Sequence, residues 1–224
     1  MSSSEFKPDS ANSKTERENV MDESKKRLIM CIIGVLLSGV AAGIFGFTAF
    51  GMDPFQVFAH GLWGLTPISY GTFYVILNGI LLAFMFFFNR RMIGLGTIIN
   101  LFLLGYVVEY TGVILDRAFP APSVYLRVAL MIFALILASL AASLYFVADM
   151  GVSAYDWIAL TISAKKGWAF RVVRIATDFI CVLTGGLLGA TVGIGTVLTA
   201  FCMGPVIQFF NEKISMPLRY GKSR

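Results

Sequence analysis

SGVAAGIFGFTAFGMDPFQ, residues 38–56, has a counterpart one hundred positions later in ASLAASLYFVADMGVSAYD, residues 138–156. Both stretches place small residues four positions apart, a spacing that lets two helices approach closely. Further aligned pairs, at an offset of 100 or 99, are Asn78 with Asp178, residues 94–97 with 193–196, Gly105 with Gly204, and Glu109 with Gln208. Because nearly one offset holds across separated blocks, the pattern indicates an internal repeat.

The composition is typical of a membrane protein. The chain has 224 residues, a mean hydropathy of +0.78 and 14% charged residues, whereas a soluble domain carries about 25%. Such a chain cannot keep a globular surface solvated, which excludes a soluble enzyme and a nucleic-acid-binding protein. The net charge of +5 indicates orientation instead, because basic residues concentrate on the cytoplasmic side of membrane proteins.

Six segments are apolar and long enough to cross a membrane, which takes about 20 residues; they are 27–50, 71–88, 94–115, 124–148, 169–190 and 194–210. With the N-terminus inside, 16 of the 18 basic residues fall on the cytoplasmic side, which predicts that both termini are cytoplasmic. The repeat assigns three spans to each copy. An odd number of spans means that the second copy enters the membrane from the opposite face.

The predicted fold class is therefore all-α. We expect a polytopic membrane protein of six transmembrane helices, arranged as two inverted three-helix repeats, each with a short half-helix or interfacial helix. The predicted divisions are a disordered cytoplasmic tail over residues 1–26, a first repeat over 27–120, a second repeat over 121–211 and a cytoplasmic C-terminal tail over 212–224.

A short helix is predicted after the first span of each copy. Asp53, Pro54 and Gln56 have the pattern of an N-cap, a first helical residue and a capping-box residue, and Ser153 and Asp156 repeat it. Helices of about 11 residues are too short to cross. They are either re-entrant half-helices, whose N-terminal dipoles face the centre and suit anions, or amphipathic helices lying among the headgroups.

A Gly-x-Gly-Thr motif stands at the start of the third helix of each copy. Its members are Gly96 and Thr97 in the first copy and Gly195 and Thr196 in the second. Glycine permits a tight turn and threonine caps a helix. A phosphate-binding loop is disfavoured, because no lysine follows the motif and no strand precedes it.

Polar residues inside the predicted spans are the candidates for substrate or ion binding, because such groups are costly in lipid. They are Glu109, Asp178, their aligned partners Gln208 and Asn78, and Asn100. Glu109 is either a proton-coupling or cation-binding acid or a hydrogen-bonded acid facing another helix. Asp178 follows Arg174 by four residues, so these two side chains are expected to form a structural ion pair.

No pattern of catalytic residues is present, so the protein is not expected to be an enzyme. The single histidine excludes a multi-histidine metal site within one chain, and the three cysteines include no Cys-x-x-Cys pair. We therefore expect no metal and no cofactor.

The repeated motifs resemble those of a known family. They are residues 51–55, residues 94–97 with Gly105, residues 151–156, and residues 193–196 with Gly204 and Pro205. In order and spacing they are similar to the YczE/YitT family of bacterial integral membrane proteins, on the YczE side, over about residues 27–211. The resemblance implies a bacterial plasma-membrane protein with a transporter-like role, and it carries no established substrate or catalytic residue.

Two hypotheses about function follow. The first is a small secondary transporter or exporter of an unknown small solute, with alternating access between the inverted repeats and Glu109 as the favoured coupling acid. The second is a non-transporting membrane scaffold or accessory protein of a membrane complex. The expected partners are the lipid bilayer and, for a transporter, an unknown small-molecule or ion substrate. A homo-oligomer is compatible with the sequence, and no nucleic-acid partner is expected.

Overall fold

A computed structural model describes residues 10–221, and these residues form helices without any β-strand, as predicted. A 3-10 turn, Arg90–Met92, precedes the fourth helix, and a π-helical turn, Asn211–Ser215, joins the last two. The α-helices are α1 Ser10–Thr48, α2 Pro54–Trp63, α3 Tyr70–Asn89, α4 Leu95–Ala118, α5 Val124–Ala148, α6 Ala154–Lys166, α7 Phe170–Leu187, α8 Ile194–Phe210 and α9 Met216–Tyr220.

Five helical segments in the described part of the chain are long and apolar enough to cross a membrane; they are Glu23–Thr48, Tyr70–Phe88, Leu95–Ala118, Val124–Ala148 and Ile194–Tyr220. The sequence predicted six. The helix that does not qualify is α7, where residues 169–190 were expected to span. Its 18 residues include the charged side chains Arg171, Arg174 and Asp178, which lower its hydropathy.

Helical residues occur in both predicted tails, and residues 10–26, which were predicted to be disordered, are part of helix α1. Helix α1 begins at Ser10, so the helix that contains the first span begins before it; residues 10–26 contain neither glycine nor proline to interrupt a helix. Its Glu23 forms an ion pair with Arg219 at 3.6 Å. Arg219 also donates to the Val147 carbonyl at 2.5 Å, which attaches α9 to α5. Residues 1–9 and 222–224 of the predicted tails lie outside the described residues.

Helix α1 lies at the centre of the bundle and packs along α4 and α5. The small residues of the opening stretch allow this close approach, as the sequence predicted. A Cβ atom at Gly39 would lie 2.7 Å from the Val107 Cβ, and one at Gly43 would lie 2.6 Å from the Thr111 Cβ. On α5, Ser139 and Ser143 are fully buried.

Aligned segments in the two halves of the chain form two matching joints. The Gly96 amide donates to the Met150 carbonyl at 2.7 Å, and the Gly195 amide donates to the Phe50 carbonyl at 2.8 Å. In each joint the helix start of one copy meets a turn of the other. Each turn contains a glycine with a positive φ angle, +103° at Gly51 and +111° at Gly151.

The Gly-x-Gly-Thr threonines cap their helices, as predicted. Thr97 Oγ1 accepts from the Gly94 amide at 3.3 Å and donates to the Val152 carbonyl at 2.8 Å, so it also joins the two copies. Thr196 Oγ1 accepts from the Gly193 amide at 3.4 Å.

Candidate functional site

A central cavity of about 190 Å³ lies where α1 to α8 meet. Each of these eight helices contributes at least one residue to its wall. The polar side chains around it are Ser38, Asp53, Gln56, Asn78, Asn100, Ser153, Asp156 and Arg174. A polar cavity in the middle of an apolar bundle is the default location of a binding site.

The starts of the two short helices face this cavity and are capped by the predicted residues. Asp53 Oδ1 accepts from the amides of Phe55 and Gln56, each at 3.2 Å, and Pro54 occupies the first turn of α2. Ser153 Oγ accepts from the Asp156 amide at 3.0 Å at the start of α6. Short polar side chains in extended backbone are the preferred N-caps, which explains why the helices start here.

The backbone half of each predicted capping box is present, because the Gln56 and Asp156 amides donate to Asp53 and Ser153, but their side chains bond elsewhere. Gln56 Oε1 accepts instead from the hydroxyl group of Tyr70, and the Asp156 carboxylate pairs with Arg174. Both side chains lie in the cavity wall rather than in water. There a phenol or a guanidinium group on a neighbouring helix is a better partner than a backbone amide of the same turn.

The two short helices meet through aromatic side chains at aligned positions of the repeat. The rings of Phe55 and Tyr155 stack with centroids 4.6 Å apart. The Tyr155 hydroxyl donates to Asp178 Oδ1 at 2.5 Å. This contact fixes the tyrosine between the start of α2 and helix α7.

Arg174 is the centre of a charge cluster beside the cavity. Its Nε lies 3.2 Å from Asp178 Oδ1, which is the ion pair expected from the sequence, and its Nη1 pairs with Asp156. The guanidinium group also lies over the Tyr155 ring, 4.5 Å from the centroid. All three charged side chains are partly buried. The cluster therefore connects α6 and α7 through charge-assisted hydrogen bonds.

Three of the five predicted binding candidates lie at or beside the central cavity. Asn78 and Asn100 line it, and Asp178 reaches it through Arg174 and Tyr155. Asn78 is 3% exposed, and its amide nitrogen donates to the Tyr74 carbonyl at 3.0 Å.

The other two candidates lie elsewhere. Glu109 Oε2 accepts from the Gly71 amide at 2.8 Å, so the carboxylate caps the start of α3. Glu109 lines a separate cavity together with His60 and Asp116. Gln208 is exposed and donates to Glu212 Oε1 at 3.1 Å. The structure therefore separates this aligned pair from the pair formed by Asn78 and Asp178.

The sequence did not identify the charged residues Asp53, Asp156 and Arg174 as candidates for substrate or ion binding. The first two were interpreted as helix caps, and the third only as a partner of Asp178. The signal that could have found them is their position. Asp53 and Asp156 stand at the two aligned helix starts, and Arg174 is aligned with Tyr74, which also lines the cavity.

A second cavity, about 530 Å³, runs between α7 and α8 next to the charge cluster. Arg174 and Asp178 lie in its wall, and the rest is mostly apolar; members are Phe170, Phe179, Val182, Val197 and Phe201. Helix α3 packs along α4, but within residues 10–221 α7 does not pack along α8.

These features define a polytopic helical membrane protein with a central polar cavity. The chain belongs to the family described as "Family of unknown function (DUF6198)", whose model matches residues 25–212. It is 26% identical over 192 residues to "Uncharacterized membrane protein YczE" of Bacillus subtilis (strain 168), covering 85% of this chain and 86% of that protein. This similarity confirms the YczE-like resemblance of the motifs.

A second relative is an "Uncharacterized protein" of Haemophilus influenzae. It is 26% identical over 186 residues, which cover 83% of each chain. No solved protein structure matches the chain.

Proposed function

We propose that this protein is a small secondary transporter or exporter of a small solute in the bacterial plasma membrane. The proposed architecture is two inverted three-helix repeats with both termini in the cytoplasm. The proposed substrate site is the central cavity, with Asn78 and Asn100 in its wall and the cluster of Asp156, Arg174 and Asp178 at its side.

The surface of α7 supports its assignment as the sixth span. Its apolar side chains Val172, Phe179 and Leu187 are more than half exposed, as lipid-facing residues would be. Its charged residues Arg174 and Asp178 pair with each other and with α6 instead of facing outward. Eighteen helical residues measure about 27 Å, close to the thickness of a hydrocarbon core. Six spans then give three to each copy of the repeat.

Burial favours the re-entrant alternative for α2 over a helix lying among the headgroups. Val57 and Ala59 are at most 1% exposed, and Pro54, Phe55 and Gln56 are also buried. A headgroup helix keeps one polar face in water. Helix α2 measures only about 15 Å and packs against α7 of the other copy, so a re-entrant position is the better explanation.

The observation that carries the proposal is a difference between aligned helix pairs. Between α3 and α4, a Cβ atom at Gly105 would lie 2.6 Å from the Tyr74 Cβ, so these helices are in close contact. At the aligned Gly204, no atom of another helix in the described residues lies within 4 Å of such a Cβ. Glu109 bonds to α3, whereas the aligned Gln208 bonds within its own helical segment.

The first copy is therefore closed where the second is open. Two copies of one repeat that hold different arrangements can exchange them, which opens the α3–α4 pair as the α7–α8 pair closes. Because the copies are inverted in the proposed architecture, this exchange would move the opening from one side of the membrane to the other. A rigid scaffold has no need of such a difference.

Access to the cavity from both sides is the first expected result. Ser38 lines the cavity, and Ser38→Cys changes the side chain little. In a Cys202→Ser background, we expect a membrane-impermeant thiol reagent to label Ser38→Cys in both right-side-out and inside-out vesicles. The Cys202→Ser parent keeps the buried Cys31 and Cys181, and its labelling is the background that is subtracted.

Gly204→Leu should restrict that labelling to one side. The leucine fits the open gap but prevents α8 from closing on α7, so the fold and one access route remain. Gly79→Leu is the matched control, because Gly79 also has open space around it and lies away from the gap. Labelling of Ser38→Cys from one side only without the Gly204 change would contradict alternating access and favour the scaffold.

A further inference from the structure

The central cavity has an excess of negative charge. Asp156 and Asp178 share one cation, Arg174. Asp53 lines the cavity together with Asp156, whereas Asp178 lies beside it, and Asp53 has no ion-pair partner among residues 10–221. Three carboxylates against one guanidinium group leave a formal excess of two negative charges, which repels anions and attracts a cation.

The helix starts that would otherwise attract an anion are already occupied. The Asp53 carboxylate accepts from two amides at the start of α2, and Ser153 accepts from one at the start of α6. The expectation from the sequence alone was that these helix dipoles suit anions. The structure reverses it, because an incoming anion would meet Asp53 and Asp156 at the positions it would have to occupy.

An acceptor atom without a partner supports a cation with N–H groups. The amide nitrogen of Asn78 donates to the Tyr74 carbonyl, and its amide oxygen has no partner in the described part of the chain. The residue is 97% buried and lines the cavity. This oxygen is free to accept from an N–H group of a ligand in the cavity.

The remaining walls suit an organic cation. Aromatic residues line the cavity, among them Phe45, Tyr74, Tyr145 and Phe146, and aromatic faces attract ammonium and guanidinium groups. A divalent metal ion would require several close ligands. Among residues 10–221, no three His, Cys, Asp or Glu side chains are placed to hold one.

We propose that the central cavity binds a small organic cation of the alkylammonium or guanidinium class, with Asp53 as its counter-ion and Asn78 Oδ1 as an acceptor. This inference rests on the proposed use of the cavity as the substrate site. At about 190 Å³ the cavity is smaller than the roughly 300 Å³ of the smallest sites for drug-sized ligands, so the ligand has few non-hydrogen atoms.

Three probes of similar shape and different charge test the proposal by their effect on the Tm of the purified full-length protein. They are tert-butylammonium, tert-butanol and pivalate. We expect 10 mM tert-butylammonium to raise the Tm by about 3–5 °C for a Kd of about 1 mM, and the other two to have no effect. Stabilisation by pivalate, or by none of the three, would overturn the proposal.

Asp53→Asn removes the negative charge and keeps the helix cap, because asparagine is as good an N-cap as aspartate. We expect this variant to fold and to lose at least tenfold in affinity for tert-butylammonium. Asp149→Asn is the matched control, since it removes the same charge at an exposed position outside the cavity. Equal affinity in Asp53→Asn and wild type would remove Asp53 as the counter-ion.

The two proposals fail in different ways. If tert-butylammonium binds but Ser38→Cys is labelled from one side only, the cation site stands and the transport proposal falls. If labelling occurs from both sides but only pivalate binds, transport stands and the cation proposal falls.

Discussion

Replacing Arg174 with alanine is expected to destabilise the protein by about 3 kcal/mol and to lower its Tm in detergent by about 5–10 °C. The change leaves Asp156 and Asp178 partly buried without their shared cation, and it removes the guanidinium group from the face of Tyr155. Breaking a buried ion pair by removing one partner costs much more than the pair contributes, because an uncompensated charge remains.

Arg171→Ala is the matched control for this prediction. Arg171 lies one turn earlier on α7 and is exposed, and it forms no ion pair within the described residues. We expect its replacement to change the Tm by less than about 2 °C. Equal Tm values for the two variants, measured by thermal unfolding at the same pH and salt, would show that the charge cluster does not hold α6 and α7 together.

Gly51→Ala and Gly151→Ala are expected to prevent stable folding or to lower the Tm by about 10 °C or more. Each glycine has a φ angle above +100°, which costs an alanine about 1–3 kcal/mol. Each Cβ would also lie within 2.6 Å of the other copy, at Thr196 Oγ1 for Gly51 and at the Gly94 amide for Gly151. Relieving such overlaps costs roughly 1–3 kcal/mol more.

Substitutions at two further glycines distinguish the cost of the positive φ angle from the cost of the steric overlap. Gly189 has a φ angle of +91° with open space around it, so Gly189→Ala measures the conformational cost alone. Gly79 is helical with open space around it, so Gly79→Ala should be neutral or slightly stabilising. We expect Tm to fall in the order Gly79→Ala, Gly189→Ala, Gly51→Ala. A Gly51→Ala variant as stable as Gly189→Ala would contradict the close joint between the copies.

Local features were predictable from the sequence because local chemistry determines them. Asp53 and Ser153 cap helices since short polar side chains before a helical segment satisfy free amides in almost any fold. The joints at Gly51 and Gly151 lie at aligned positions of the sequence and make matching contacts. The helical class followed from long apolar segments that only helices can satisfy in lipid.

Partner choice between distant helices was not predictable. The sequence around Glu109 does not show whether this residue caps α3 or acts as a coupling acid in the cavity. Its partner, the Gly71 amide, lies 38 positions away in the sequence. The alignment of Gly105 with Gly204 gave no sign that one would be packed against Tyr74 and the other open. Such differences between aligned positions are properties of the conformation, which the repeated sequence alone does not specify.

Distances across the two aligned helix pairs test alternating access most directly. On a Cys202→Ser background, spin labels at Leu183→Cys and Val197→Cys span α7 and α8, and labels at Ala83→Cys and Ile98→Cys span α3 and α4. All four positions are exposed. In lipid nanodiscs, we expect the EPR distance distribution of each pair to contain a short and a long population. The conformation with a long α7–α8 distance has a short α3–α4 distance, and the other conformation has the reverse.

Gly204→Leu should remove the short α7–α8 population and the long α3–α4 population together, while Gly79→Leu should leave both pairs unchanged. That result would show that the two copies exchange one closed and one open arrangement around the central cavity. A single distance in each pair that Gly204→Leu leaves unchanged would contradict alternating access and identify the protein as a rigid membrane scaffold.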